Sequence, residues 1–200
     1  MPLPRVPLRD GRIGPARPRH ASPGIARDPG FPGLGEVVAL VSVDGFTDRL
    51  DYPMYVVTAA ADGAPAGCLV GFASQCALDP PRFVVWLSQA NHTYPVARRA
   101  AFLGVHLLRR DQHRLARLFG GECGKRVDKF ADARWEPHTG GAPVLTDSCA
   151  WWVGKIERHA DWGDHVGFHL TPVEAGADPP PHEKLLRLSD VTDLTPGHPA

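Results

Sequence analysis

Apolar residues in this chain fall into short runs, each closed by glycine, proline or aspartate. The first run, residues 54–59 (Met54-Tyr55-Val56-Val57-Thr58-Ala59), reads as a strand, and Asp62-Gly63 after it favours a tight hairpin turn. A second strand is predicted around residues 67–73. Residues 83–87 are apolar on both faces, which predicts a strand buried on both sides. Leu103, Val105 and Leu107 alternate with Gly104, His106 and Leu108, as a strand requires. Residues 151–158 and 165–173 are two more strands, joined across Asp161-Trp162-Gly163-Asp164. Helical patterns are fewer. Asn91 or Thr93 can cap a short helix that carries Pro95 in its early turn and reaches Ala100. Asp111 can cap another, with Leu115, Leu118 and Phe119 on one face and Gly120-Gly121 as its stop. Phe46 and Leu50, at i and i+4, can form one face of a third. About six short strands, two or three short helices and no regular β-α alternation predict a mainly β fold, a small antiparallel barrel.

The ends of the chain differ from this middle. Residues 1–33 hold eight prolines and no apolar periodicity, and are expected to be a disordered leader. Val37, Val38, Leu40 and Val41 are expected to be buried. The folded domain is expected over residues 34–174, followed by a proline-rich tail, 175–200, with a short turn at 184–188. The 200 residues carry no formal net charge. Residues 1–30 hold six arginines against two aspartates, so the remainder is net acidic. Neither balance favours nucleic acid or an anionic membrane surface as a partner. No apolar run approaches the ~18 residues of a membrane span, and the N-terminus lacks the apolar core of a secretory signal. The four cysteines are scattered, with no C-x-x-C pair, which argues against a disulfide framework and a zinc site and is simplest in a reducing cytoplasm.

Familiar catalytic patterns are absent. There is no G-x-G-x-x-G before a helix and no G-x-S-x-G. Residues 120–126 approximate a P-loop, but Phe119 stands where its first glycine belongs and Arg126 replaces the magnesium-ligating hydroxyl. His159, Asp161, Asp164 and His165 lack the helical spacing that would fix a metal cluster, so no metal site is assigned. Residues 67–81 are more informative. Gly67 and Gly71 let a backbone pass close to something flat, and Asp79-Pro80-Pro81 holds the chain extended and out of a central ladder. Residues 88–93 place Ser88, Asn91 and Thr93 before a helix N-terminus, where an anion is favoured, and Arg98 or Arg99 can add charge. Asn91 or Thr93 can equally serve only as the cap. Cys68 and Cys76 have no neighbouring base and read as packed, inert thiols.

The order Asp-Gly, Pro-Ala-Gly, a dozen small or apolar residues and Asp-Pro-Pro resembles the flavin reductase-like, FMN-binding split-barrel family. Ser88 to Thr93, Asp128-Lys129-Phe130, Pro143-Val144-Leu145 and Gly163-Asp164-His165 extend the likeness over residues 51–173. The resemblance implies a six-stranded antiparallel split β-barrel of Greek-key type with two or three short helices. It implies FMN, or FAD, as cofactor and NAD(P)H as co-substrate. By the same likeness the protein is a homodimeric flavin reductase that can supply reduced flavin to a partner monooxygenase. A non-enzymatic electron-transfer module and a deazaflavin-dependent reductase are the alternatives. The implied cofactor residues are Gly67, Cys68, Leu69, Val70, Gly71, Ser74, Gln75 and Cys76, whose backbone would follow the ring edge. Ser88, Asn91, His92 and Thr93 would hold the phosphate. Lys129 would meet the phosphate or ring, and Phe130 would cover an apolar part. His165 would position the nicotinamide, with Asp164 fixing its tautomer; a structural role for each is the plainer alternative. Relatives carry hydroxyls where this chain has Leu69, Gly71, Phe72, Gln75 and Ala77, so main-chain donors must substitute for them.

Overall fold

The structure, a computed structural model, describes residues 42–177 and 184–197. The predicted leader, the burial expected at Val37, Val38, Leu40 and Val41, and part of the predicted tail lie outside the described residues. The chain divides into a first unit, residues 1–43, and a second, residues 44–200, which carries every element below. Among the described residues no helix is long and apolar enough to cross a membrane.

A one-turn helix α1 (Asp44–Thr47) opens the unit. Phe46 and Leu50 are both exposed, because so short a helix presents no continuous face to bury. Strands β1 (Tyr55–Ala61) and β2 (Ala64–Val70) form a hairpin whose turn residues Asp62 and Gly63 both take positive φ, 53° and 77°, as a type I′ turn requires. Next come β3 (Ala73–Leu78), β4 (Pro81–Ser88), α2 (Thr93–Ala97), β5 (Phe102–Leu107) and α3 (His113–Gly121). The short β6 (Trp135–Pro137) and β7 (Pro143–Leu145) pair only with each other, and the long hairpin β8 (Ala150–Asp161) and β9 (His165–Ala177) completes the set.

Seven strands make one antiparallel sheet in the order β2-β1-β5-β8-β9-β4-β3. β2 and β3 are its opposite edges, yet only Gly71 and Phe72 separate them in sequence. Laid flat, seven strands would hold their edges roughly 29 Å apart, at 4.7–4.9 Å per step. Three Cα steps from Val70 to Ala73 reach about 11 Å at most. The sheet must therefore roll up until its edges come together at Gly71-Phe72, where the Trp86 N–H donates to the Phe72 carbonyl (2.9 Å) and extends the β3–β4 pairing by one rung. The result is an antiparallel split barrel, as expected, with two corrections. The single strand predicted at 67–73 is two strands on opposite edges, and the main sheet has seven strands rather than six. Asp79-Pro80, a cis peptide, turns the β3–β4 hairpin instead of ending the pairing. Pro81 costs no ladder bond because it is the first residue of β4, facing Leu78.

Val57, Ala59, Val85, Leu87, Phe168 and Leu170 fill the barrel interior. Each fully buried large apolar side chain contributes about 1.5–3 kcal/mol, and truncating Phe168 to Ala would remove roughly 3–5 kcal/mol. β1 is also buried on its outer face. Val56 there packs with Leu115, Ala116 and Phe119 of α3, and with Leu145 and Leu186. α3 starts at His113 with Gln112 as its N-cap, not Asp111, which pairs with Arg109 (3.3 Å) instead. The C-terminal residues expected as tail are also part of the structure. β9 runs on to Ala177, and Leu186 and Val191 are buried against this outer layer.

Candidate functional site

β2 is an edge strand, so one row of its backbone N–H and C=O groups has no sheet partner. Two clefts lie along it. The first, about 300 Å³, is lined by Cys68, Leu69, Val70 and Gly71 from β2 and its exit. Ser88 and Asn91 line it from the end of β4, and His165 from the start of β9. The sheet register brings these together, since Ser88 faces His165 directly. The two polar side chains are oriented by the turn they sit in. Ser88 Oγ accepts from the Ala90 N–H (3.3 Å), and Asn91 Oδ1 accepts from the Thr93 N–H (2.9 Å). Thr93 is buried beneath them, beside the Cys68 thiol. Burial pushes that thiol up to about 11, so Cys68 is a neutral packing residue.

Ser74, Gln75 and Cys76 are not in this cleft. The crossing at Gly71-Phe72 carries them to the opposite sheet edge, where they are exposed. Ser74 Oγ donates to the Gln75 carbonyl (3.0 Å) and Gln75 Nε2 to that of Ala77 (3.1 Å).

The second cleft, about 510 Å³, takes the rest of the predicted cofactor residues, Gly67, His92, Lys129 and Phe130, together with Lys125 and Arg126. Lys129 is buried, and its Nζ donates to the carbonyls of Phe119 (3.0 Å) and Gly67 (3.2 Å). It caps the C-terminus of α3 and pins that helix to the open edge of β2, so it is a structural cation first. Burial lowers its pKa. Asp128 Oδ1 accepts from the N–H groups of Phe130 (3.0 Å) and Ala131 (3.2 Å), which turns the loop and sends the Phe130 ring edge-on into Phe119 and Trp135. Partial burial first, then Lys125 and Lys129, lower the pKa of His92. The arginines expected to add charge lie elsewhere: neither Arg98 nor Arg99 lines either cleft, and Arg99 reaches Asp62 (3.4 Å) and the Pro95 carbonyl (2.7 Å). The positive charge comes from Lys125 and Arg126. Their signal was the failed P-loop itself, a Gly-Lys-Arg triplet on a loop beside glycines.

A third groove, about 320 Å³, adjoins the first cleft and shares His165 and Phe72 with it. Asp164 and His165 are paired at 3.0 Å through Nδ1. A carboxylate only accepts, so Nδ1 carries the proton and Nε2 is the acceptor of the neutral ring. The same bond holds the Asp164 carboxyl below its usual range. His165 lies tilted against Phe72 (5.3 Å between centroids, 58° between planes), and Trp86 against the exposed Trp162 (5.4 Å, 41°). Gln89 fixes this corner: its N–H donates to the Asp164 carbonyl (2.9 Å) and its Nε2 to that of Gly163 (2.8 Å). The weak metal set does not gather, because Asp161 accepts from Gln89 while His159 packs edge-on to Phe168.

An antiparallel sheet rolled until its edges meet at a glycine, with clefts along the open edge, defines a split barrel that offers backbone and apolar surface to a flat ligand. Residues 47–190 match the flavin reductase like domain, and the chain belongs to that family. The reductase component of a 4-nitrophenol 4-monooxygenase/4-nitrocatechol 2-monooxygenase from Rhodococcus opacus is 31% identical over 122 residues, 61% of this chain and 64% of the relative. An FMN reductase (NADH) from Bradyrhizobium diazoefficiens is 27% identical over 132 residues, 66% of this chain and 64% of the relative. The chain thus spans less than two thirds of the length of these curated relatives. Among solved structures, the FMN-binding protein of Thermus thermophilus shares the fold with a TM-score of 0.68 at 22% identity, over 81% of this chain and 94% of that one.

Proposed function

We propose that the protein is an NAD(P)H:flavin oxidoreductase that binds FMN, or FAD, in the first two clefts and supplies reduced flavin to an oxygenase. The observation that carries this is the convergence on one open strand edge of an apolar floor, unpaired backbone groups, the Ser88 and Asn91 turn, and His165. The fit is chemical. A flat heteroaromatic ring needs apolar faces and hydrogen bonds at its rim, and the residues of β2 and Leu87 offer both. Relatives named as an FMN reductase and as a monooxygenase reductase component support the activity and the oxygenase partner.

When bound, the flavin supplies the redox chemistry, accepting a hydride from NADH or NADPH and passing the electrons on. The protein binds and orients. Residues 67–71 hold the ring through main-chain groups, replacing the hydroxyls this chain lacks. Lys125, Arg126 and His92 face the phosphate from the second cleft. His165, its tautomer set by Asp164, presents Nε2 to the nicotinamide in the groove beside Phe72. No side chain has to exchange a proton, which accords with a site that contains no catalytic triad. A homodimer belongs to the same proposal, because Phe72 and Trp162 leave apolar surface exposed beside the third groove.

Titration of the purified protein with FMN and FAD by fluorescence quenching, followed by NADH and NADPH oxidation, tests the reading. Flavin binding with flavin-dependent oxidation is expected. Binding without oxidation would make it an electron-transfer module, and release of a deazaflavin, identified by mass, would change the cofactor.

A further inference from the structure

Part of the lining of the first cleft comes from the C-terminal segment. Residues 184–188 run between the start of β1 and the end of β5. The Met54 N–H donates to the Leu186 carbonyl (2.9 Å), the Leu186 N–H to that of Leu108 (2.9 Å), and the Leu188 N–H to that of Tyr52 (3.0 Å). Leu186 is wholly buried beneath this strap. A single 3-10 turn, Leu188–Asp190, then redirects the chain, and the Asp190 carboxylate accepts from Arg110 Nε (2.8 Å) and the Arg187 N–H (3.1 Å). Beyond it the strap crosses the end of α3. Asp193 pairs with Arg117, and the Gly197 N–H donates to the Gly120 carbonyl (3.1 Å). Leu194 interlocks there with Gly120 and Leu69: a Cβ added at Gly120 would lie 3.0 Å from Leu69 Cδ2 and 3.7 Å from Leu194 Cδ1.

Leu188, Val191, Leu194 and Pro196 all line the first cleft, together with Leu69 and Val70 of β2. The match to the family domain ends at residue 190, so Val191, Leu194 and Pro196 lie beyond it. We infer that the strap is part of the flavin site, with Leu188, Val191 and Leu194 forming the apolar wall that holds the ring against β2. This rests on the reading of the cleft as a flavin site. The wall is aliphatic and carries no charge, so it acts on the ring and is indifferent to the phosphate. Affinity for the ring therefore depends in part on Val191 and Leu194, which lie beyond the residues matched to the family domain.

Riboflavin and FMN titrations of the full chain and its variants test this, with thermal melts of the apo-protein reporting the fold. Leu194 is only half-buried, so Leu194→Ala should fold. It should raise the dissociation constants of riboflavin and FMN together, by about 5- to 30-fold for a lost apolar contact of this size. Leu188→Ala, on the strap's other half, should do the same. Leu78→Ala, at the exposed tip of β3, should change neither. Both ligands bound within twofold of wild type by folded Leu194→Ala and Leu188→Ala would overturn the inference while leaving the flavin reading intact. Wild type that binds neither ligand would overturn both.

Discussion

The ring of Tyr52 occupies the space that any side chain at Gly71 would need: a Cβ built on Gly71 would lie 2.4 Å from Tyr52 Cε2. The sequence suggested that Gly71 is bare so that a ligand can approach. The structure gives that space to a neighbour that also lines the cleft and packs edge-on to Phe72 (6.1 Å). Gly71→Ala should force Tyr52 aside at a cost of about 1–3 kcal/mol, lowering the apo melting temperature and weakening FMN binding together. Adding Tyr52→Ala should restore most of the melting temperature without restoring affinity. An unchanged melt in the single variant would show that Tyr52 moves freely.

His106 should make the fold acid-labile. It is wholly buried, its Nδ1–H donates to the Val56 carbonyl (2.9 Å), and Nε2 accepts the Leu145 N–H (3.0 Å). Burial, ahead of the nearby His138, brings its pKa from 6.5 to about 4. Protonation would turn Nε2 into a donor facing a donor. Because the unfolded chain takes up the proton first, this contribution is complete above pH 6.5 and is lost as pH falls towards 4. The total is on the order of 3 kcal/mol. Urea midpoints at pH 7.5 and 4.5 should differ clearly in the wild type and much less in His106→Leu.

Removing the Lys129 ammonium should loosen α3. Lys129→Met keeps the buried stem but leaves the Phe119 and Gly67 carbonyls without their donor, at a cost of roughly 1–3 kcal/mol. Chemical denaturation measures the loss. An unperturbed midpoint would place Lys129 with the ligand rather than with the helix.

Charge in the second cleft should select phosphorylated flavin. Lys125→Ala with Arg126→Ala should weaken FMN about 5- to 30-fold, leave riboflavin nearly unchanged, and reduce the salt dependence of FMN binding. Equal loss for both ligands would move the phosphate elsewhere.

His165→Ala should lower kcat/KM for the nicotinamide nucleotide about tenfold, ~1.4 kcal/mol, while the FMN dissociation constant stays within threefold. Asp164→Asn should lower it less, because Asp164 is exposed and acts through the ring it orients. Stopped-flow reduction at saturating FMN separates the two effects.

The hydrophobic pattern located β1 and β5 well, because each buries several adjacent residues, and β4 by its apolar run, although only Val85 and Leu87, on one face, are buried rather than both sides as expected. It failed where side chains carry little signal. Gly71 gives no apolar or polar sign, so two strands on opposite edges read as one. The far ends of β8 and β9 have mixed polarity, and both strands were drawn too short. Leu185, Leu186 and Leu188 sit among prolines and charges, so the strap looked like tail although Leu186 is wholly buried. At the site, the sequence pointed to Ser88, Asn91 and Lys129, all of which lie at the clefts. The burial of Lys129 against the end of α3 was not legible, since a lysine capping a helix reads in sequence like any other.

The meeting of β2 and β3 at Gly71-Phe72 also sets an order of events in folding. Neighbours in sequence, these strands cannot zip together as a hairpin; each must first join its own end of the sheet. β4 finds β9 only across about 80 residues, a separation that slows pairing. The β1–β2 and β8–β9 hairpins can form early from local contacts. The seam is the last part to assemble, and the binding cleft is created at that step. Pulse-labelled hydrogen exchange should find the β1–β2 and β8–β9 amides protected before those that pair β4 with β9, and a ligand that grips the seam should slow unfolding more than it speeds folding.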